Sequence, residues 1–280
     1  MILVTGANGF VGKHLVRTFQ SQRQPLRIVL REHSNLSVEL FETDEVVETP
    51  DLFAADHAWW DQVLRGVEIV VHLAWYAEPG QYLTSPENID CLKGTISLAQ
   101  ACLDADVRRF VGIGTCAEYD LNQGLLRPDS PLNPQTLYAA CKASTFQVLG
   151  QLLPNASVEF AWCRLFYLYG EGEDPRRLVP YLRQRLSEGK PAEMTSGRQI
   201  RDFLDVRDAA AMIADIALGD QQGPINICSG IPITVRQLAE QIADEYGRRD
   251  LLHFGARADN LFDPPCVVGV LNALAHKEAW

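Results

Sequence analysis

No stretch of the 280 residues approaches the eighteen or more consecutive apolar positions of a spanning helix, and the chain opens Met1-Ile2-Leu3-Val4-Thr5-Gly6 with no basic leader. A membrane protein and a secreted one are both unexpected on these grounds; a cytoplasmic location is the expectation. The seven cysteines (91, 102, 116, 141, 163, 228 and 266) are odd in number and include no C-x-x-C pair, which argues against a disulfide framework or a zinc ribbon and for reduced thiols. Histidines 14, 33, 57, 72, 253 and 276 show no metal-ligand spacing and no hydrolytic grouping with Ser and Asp, so no metal is expected. Lysine is scarce, with 5 against 20 arginines, and 36 acidic residues against 25 basic leave a net charge of -11 that repels polyanions. Nucleic acid is therefore not an expected partner. Internal repeats and low-complexity linkers are missing as well.

What is present is an ordinary globular composition, 47% hydrophobic and 22% charged, which excludes a disordered chain. The length suits one large α/β domain, alone or with a smaller appendage. Short β-branched runs at Ile2 to Thr5, Leu26 to Leu30, Glu45 to Glu48, Val67 to Leu73, Phe110 to Gly114 and Val158 to Cys163 alternate with helical stretches. Two helices are clear. In Pro86 to Ala105, residues Ile89, Leu92, Ile96, Ala99 and Leu103 step by three and four, predicting one buried stripe; a second helix is expected over about Pro134 to Leu153, with Leu137, Cys141, Val148, Leu149 and Leu152 apolar. The pattern predicts a doubly wound, Rossmann-type parallel sheet with its ligand crevice at the carboxyl ends of the strands. Residues 1–170 are expected to make up most of this sheet domain, the part that would bind a dinucleotide if the crevice holds one. Beyond them the rhythm loosens, predicting a smaller C-terminal substrate-binding lobe over 171–280, with about 200–230 returning to the first part and helices near Arg177 to Glu188 and Val235 to Tyr246.

The first strand runs straight into Thr5-Gly6-Ala7-Asn8-Gly9-Phe10-Val11-Gly12, and a helical pattern follows at once. Strand, glycine-rich turn and helix form the context in which three glycines predict a dinucleotide cradle. Gly6 permits the tight turn, Gly9 leaves room for a pyrophosphate at the helix start, and Gly12 lets that helix lie close on the strand. The second strand ends at Arg31, followed by Glu32. An arginine there pairs with a ribose 2′-phosphate and an acidic residue accepts from a 2′-hydroxyl, so NADP(H) is favoured and NAD(H) stays possible.

Tyr138 and Lys142 are four apart on the long helix downstream of Gly114-Thr115, and therefore share a face. A phenol titrates near 10, and a neighbouring ammonium is expected to lower that value, fitting Tyr138 for proton transfer to an alcohol–ketone couple.

The cradle spacing G-x-x-G-x-x-G and the Tyr138/Lys142 pair make the chain resemble, over nearly its whole length, the extended short-chain dehydrogenase/reductase family of nucleotide-sugar epimerases, dehydratases and reductases. The resemblance implies that Tyr138 transfers the proton, Lys142 holds the nicotinamide ribose and tunes Tyr138, and Thr115 bonds the reacting oxygen. It also implies that Asp51 and Leu52 flank the adenine, and that His72, Leu73 and Ala74 line the cofactor. Arg201, in Gly197-Arg198-Gln199-Ile200-Arg201-Asp202-Phe203, resembles the arginine that grips a substrate diphosphate, and Arg257 resembles a second. For Arg201 the competing reading is a salt bridge to Asp202 or Asp205.

Several positions depart from relatives. After Thr115 stand Cys116 and Ala117, where 4,6-dehydratases carry their extra acid, and Glu118 is one place too late. Ala117 and Arg177 replace the Cys and His of 3,5-epimerase/reductases; Tyr167 and Cys91 stand where asparagines are usual. Cys116 and Tyr167 are thus expected at the substrate. The expected activity is NADPH-dependent reduction of a nucleoside-diphosphate 4-keto-6-deoxy sugar. Alternatives are an NAD-dependent nucleotide-sugar 4-epimerase, a reductase of a non-nucleotide ketone, and a non-catalytic dinucleotide sensor. As in relatives, the stripes of the two long helices are expected to meet their copies in a homodimer.

Overall fold

The computed structural model describes residues 1–34, 36–260 and 263–272; His276 and the C-terminal Trp280 lie outside the described residues. In chain order the elements are β1 (Ile2–Thr5), α1 (Phe10–Ser21), β2 (Leu26–Arg31), β3 (Glu45–Thr49), α2 (His57–Val63), β4 (Ile69–His72), α3 (Glu87–Asp104) and β5 (Arg109–Thr115). They continue with β6 (Leu125–Leu126), α4 (Leu137–Asn155), β7 (Glu159–Leu165), β8 (Tyr167–Tyr169), α5 (Leu178–Ser187), β9 (Ala192–Met194) and β10 (Ile200–Asp205). The last are α6 (Val206–Leu218), β11 (Gly223–Ile227), β12 (Pro232–Thr234), α7 (Val235–Tyr246), β13 (Leu252–Phe254) and β14 (Cys266–Gly269).

Seven strands form the central sheet in the order β11-β7-β5-β4-β1-β2-β3, with every neighbour parallel. This is the Rossmann-type α/β fold. The strand order reverses between β1 and β4, which opens the crevice at their carboxyl ends. Two apolar layers enclose the sheet. One unites Leu15, Val16 and Phe19 of α1 with Ile213 and Ala217 of α6; the other unites Trp60, Leu98, Leu149 and Trp162. A separate cluster joins Leu182 of α5 to Leu238 and Ile242 of α7, beside short strands that pair around β10. Within 200–230, α6 and β11 pack into the central layers, whereas β10 pairs with β8, β12 and β14.

Of the stripe read on α3, Ala99 is buried and Ile96 and Leu103 are partly buried against the core, but Ile89 is corrected, being 40% exposed. The buried residues of α3 are Asn88, Cys91, Gly94, Thr95, Leu98, Ala99, Ala101 and Cys102. Small and hydrogen-bonded residues face inward because α3 lies against backbone: a Cβ on Gly94 would stand 2.5 Å from Phe53 Cα. On α4, Val148 is likewise outward, and Ala139, Cys141, Lys142, Ala143 and Thr145 are the buried residues near its start.

Candidate active site

Thr136 caps the start of α4, its hydroxyl accepting from the Ala139 N–H at 3.2 Å. Helix α1 starts differently. Gly9 at its N-cap provides no side-chain acceptor, and no acidic residue occupies the first turn, so the leading N–H groups and the positive end of the helix dipole are left for an anion. Gly6 has φ +74°, and a Cβ there would lie 2.7 Å from Ala74 N; one on Gly12 would lie 2.1 Å from Gly6 O. Those two glycines hold the turn tight against its own fold. Gly9 is different, since a Cβ there would meet only Gly6 O, at 3.1 Å. Its lack of a side chain keeps the cradle open rather than packed, and the turn fits a dinucleotide diphosphate.

This turn is one wall of a cleft of about 770 Å³. Gly6, Asn8, Gly9, Phe10, Val11, Gly12, Arg31, Asp51, Leu52, Leu73, Ala74, Thr115, Cys116, Tyr138, Lys142 and Tyr167 all line it. Arg31 faces the cleft; Glu32 is not among its lining residues. His72 lies beneath, buried, and its hydrogen bonds form a chain. The Ala74 N–H reaches Thr5 Oγ1 at 3.3 Å, Thr5 Oγ1 pairs with His72 Nδ1 at 2.8 Å, His72 Nε2 with Thr95 Oγ1 at 2.9 Å, and Thr95 donates to Cys91 O at 2.7 Å. Donors and acceptors alternate consistently only for a neutral imidazole protonated at Nε2. Burial, aided by the Lys142 charge, pushes its pKa down to about 3. His72 thus braces the Leu73-Ala74 turn from below.

Thr115 ends β5 and caps the short helical turn that follows. Burial raises the Tyr138 pKa and Tyr82 adds to the rise, with a hydrogen bond to the Thr115 side chain pulling the other way. The expected lowering by Lys142 is not found. The Lys142 Nζ donates to Ile113 O at 2.6 Å and sits 3.7 Å from the centre of the Trp75 ring, so burial dominates the phenol's surroundings. Lys142 itself is pushed down to about 7 by burial, against the pull of Glu118 and Cys91.

Two expected ligands stand outside this wall. Arg201 is buried and donates to Asp263 at 2.6 Å, rather than to Asp202 or Asp205, with its guanidinium 5.3 Å from the Tyr167 ring. Asp202 is occupied by Ser229, Gly230 and Gly269 N–H groups. Arg257 lies over Tyr181, 5.2 Å from its ring. Conversely, Trp75, Tyr82, Glu173, Asp174 and Arg177 line the cleft, and of these only Arg177 drew notice in the sequence. The Glu173 side chain is 6% exposed, and among the described residues its Oε2 has no hydrogen-bond partner. Local periodicity carried no signal for it, because the β8–α5 loop is placed by long-range contacts such as His14 Nε2 with Glu171 O at 2.9 Å.

Residues 2–228 match the NAD dependent epimerase/dehydratase family. One relative, the dTDP-6-deoxy-L-talose 4-dehydrogenase (NAD(+)) of Aggregatibacter actinomycetemcomitans, is 23% identical over 88% of this chain and 90% of its own length. The dTDP-glucose 4,6-dehydratase DesIV of Streptomyces venezuelae, solved with NAD bound, superposes with a TM-score of 0.81 at 25% identity, covering 96% of this chain and 88% of its own. MoeE5, solved with UDP-glucose and NAD, gives 0.79 at 25% identity over 96% and 89%. An uncapped glycine cradle, a strand-end threonine and the Tyr138/Lys142 helix occur in one cleft of a fold shared with these enzymes, and the chain belongs to the NAD dependent epimerase/dehydratase family.

Proposed function

We propose that the protein is an NADPH-dependent reductase of a nucleoside-diphosphate 4-keto-6-deoxy sugar. The observation that carries this reading is the meeting of Thr115, Tyr138 and Lys142 in one cleft while positions 116–118 offer it no further acid or base. Burial pushes the Cys116 thiol up to about 12, Ala117 has no titratable group, and Glu118 is buried and bonded to Arg164 at 2.7 Å. Elimination of water needs such an extra pair; reduction of a ketone does not. The relative named for a 4-dehydrogenase of a dTDP-linked 6-deoxy sugar has the same substrate class.

In this reading the Tyr138 hydroxyl gives its proton to the carbonyl oxygen, and Thr115 hydrogen-bonds that oxygen. Lys142 steadies the phenol and the ribose side of the cleft. The 6–12 turn holds the cofactor diphosphate, Asp51 and Leu52 flank its adenine, and Leu73 and Ala74 back the ring. The bound dinucleotide supplies the hydride. Tyr167 and Cys116 border the sugar, and Arg201 and Arg257 take the substrate diphosphate, which requires Arg201 to exchange Asp263 for phosphate oxygens. The test is a panel of keto sugar nucleotides with NADPH: loss of the reduced nicotinamide band supports the reductase. Turnover without net cofactor change would instead establish the NAD-dependent 4-epimerase, NAD being the dinucleotide bound in the solved relatives.

The preference for NADP(H) rests on Arg31 facing the cleft. A charge-assisted contact to a 2′-phosphate is worth roughly 1.5–3 kcal/mol, so Arg31→Ala is expected to weaken NADPH about ten- to a hundredfold and leave NADH nearly unchanged. Titration calorimetry with both cofactors decides it, and equal losses would refute the assignment.

A cytoplasmic homodimer completes the reading. Seven free thiols suit a reducing compartment, and among the described residues no helix is long and apolar enough to cross a membrane. Ile89 of α3 and Val148 of α4 are 40% and 43% exposed, an outward face that a second copy would cover. Sedimentation of the wild type as a dimer and of Val148→Glu as a monomer is the expected pair of results.

A further inference from the structure

Trp75 follows the Leu73-Ala74 turn and lines the cleft between Lys142 and Tyr138. Its ring centre is 3.7 Å from the Lys142 Nζ, and its ring stands edge to face with Tyr138 at 6.5 Å. The indole is held from behind. Its N–H donates to Asn88 Oδ1 at 2.8 Å, and the Asn88 amide donates to Tyr82 O at 2.6 Å and Ser85 O at 2.8 Å. Asn88 is completely buried, so it makes a fixed polar clip at the start of α3. The Tyr138 N–H donates to Leu83 O at 3.1 Å, which ties the same loop to the start of α4.

We propose that Trp75 is a positioning residue for Lys142: its clipped indole face holds that side chain as an ammonium and thereby sets the pH range over which the Tyr138/Lys142 pair works. Lys142 is 4% exposed, and a buried ammonium needs compensation. The groups facing it are few. Its own helix presents Tyr138. His72 faces it from β4 and Cys91 from α3; Glu118 after β5 acts on it from farther off and is already paired with Arg164. Trp162 of β7 is 5.9 Å away. One backbone carbonyl and the Trp75 face are therefore its close partners, and an indole is the strongest of the aromatic faces for a cation. Burial drives the lysine toward neutrality and the ring opposes it.

The working pH range of the pair rests on the proposed function; the hold of Trp75 on Lys142 does not, and the experiment separates the two. Only five lysines occur in the chain, so lysine-selective NMR of the full-length protein gives a readable spectrum, with Lys142 assigned by its loss in Lys142→Met. In the wild type its side-chain protons are expected to be the most upfield of the five, shifted by the indole ring current; ordinary shifts would overturn the proposal without any variant having to fold. In Trp75→Leu the Lys142 titration midpoint is expected to fall by about one pH unit, the size of a desolvated cation–π contact. Trp75→Phe should fall by less than half of that. An unmoved midpoint in Trp75→Leu, or equal shifts in both variants, would overturn it. The alkaline limb of kcat should move down with the midpoint while the substrate KM holds. A moved midpoint with an unmoved limb would uphold the hold on Lys142 and remove that pair from proton transfer.

Discussion

Tyr138→Phe is expected to lower kcat by about two to four orders of magnitude, the usual contribution of a positioned proton donor, while dinucleotide affinity and unfolding stay unchanged. The ring is kept, and with it the edge-to-face contacts to Tyr82 at 4.9 Å and Trp75 at 6.5 Å. Only the hydroxyl beside Thr115 is lost. The wild-type direction also follows. Because burial raises the Tyr138 pKa, the phenol is protonated throughout the neutral range and begins the reaction as an acid, the state that reduction of a ketone requires. Oxidation needs the phenolate, which burial disfavours. Rates should therefore favour reduction at pH 7 and shift toward oxidation only as pH rises. Retention of more than about a tenth of kcat in Tyr138→Phe would place the proton donor elsewhere.

The second large effect lies one layer behind the cleft. Arg164→Met is expected to destabilise the protein by about 3–5 kcal/mol, measured by denaturant unfolding at pH 7. Glu118 is fully buried and accepts from the Thr115 N–H at 2.8 Å, the Trp162 indole N–H at 3.0 Å and Arg164 Nε at 2.7 Å. Arg164 also donates to the Tyr119 hydroxyl at 2.9 Å, and Tyr119 to Asn226 at 2.7 Å. Removing the guanidinium strands a carboxylate between Trp162 and the end of β5. Glu118→Gln in the same chain should recover part of that loss, because the amide leaves no charge unpaired. Losses below about 1 kcal/mol in Arg164→Met would show that the pair is not what holds the Thr115 end.

Much of the site was legible because its signals are local. The three glycines need only a strand before them and a helix after, and a four-residue step puts Tyr138 and Lys142 on one face whatever else surrounds them. The sequence reading fell short wherever distant chain segments decide the outcome. Arg201 pairs with Asp263, 62 positions away, rather than with either nearby aspartate. On α3 the large apolar residues suggested one inward stripe, but Ile89 points outward and part of the inner face is Asn88, Gly94 and Thr95, because Phe53 lies against Gly94 and His72 bonds Thr95. Glu118, one place too late in the sequence for a dehydratase acid, is a buried brace for β5, a role that only its distant partner Arg164 reveals. Trp75 carried no motif.

By itself the sequence determined the fold class, the cradle at its first turn and the pairing of a tyrosine with a lysine, since each depends on spacing of 2.0 or 3.6 residues and on backbone freedom at glycine. Only the tertiary structure decided the surroundings of that pair. Desolvation and cation–π contact are set by what packs around Lys142 and Tyr138, and those neighbours, Trp75, Ile113, Trp162 and Tyr82, come from three other parts of the chain.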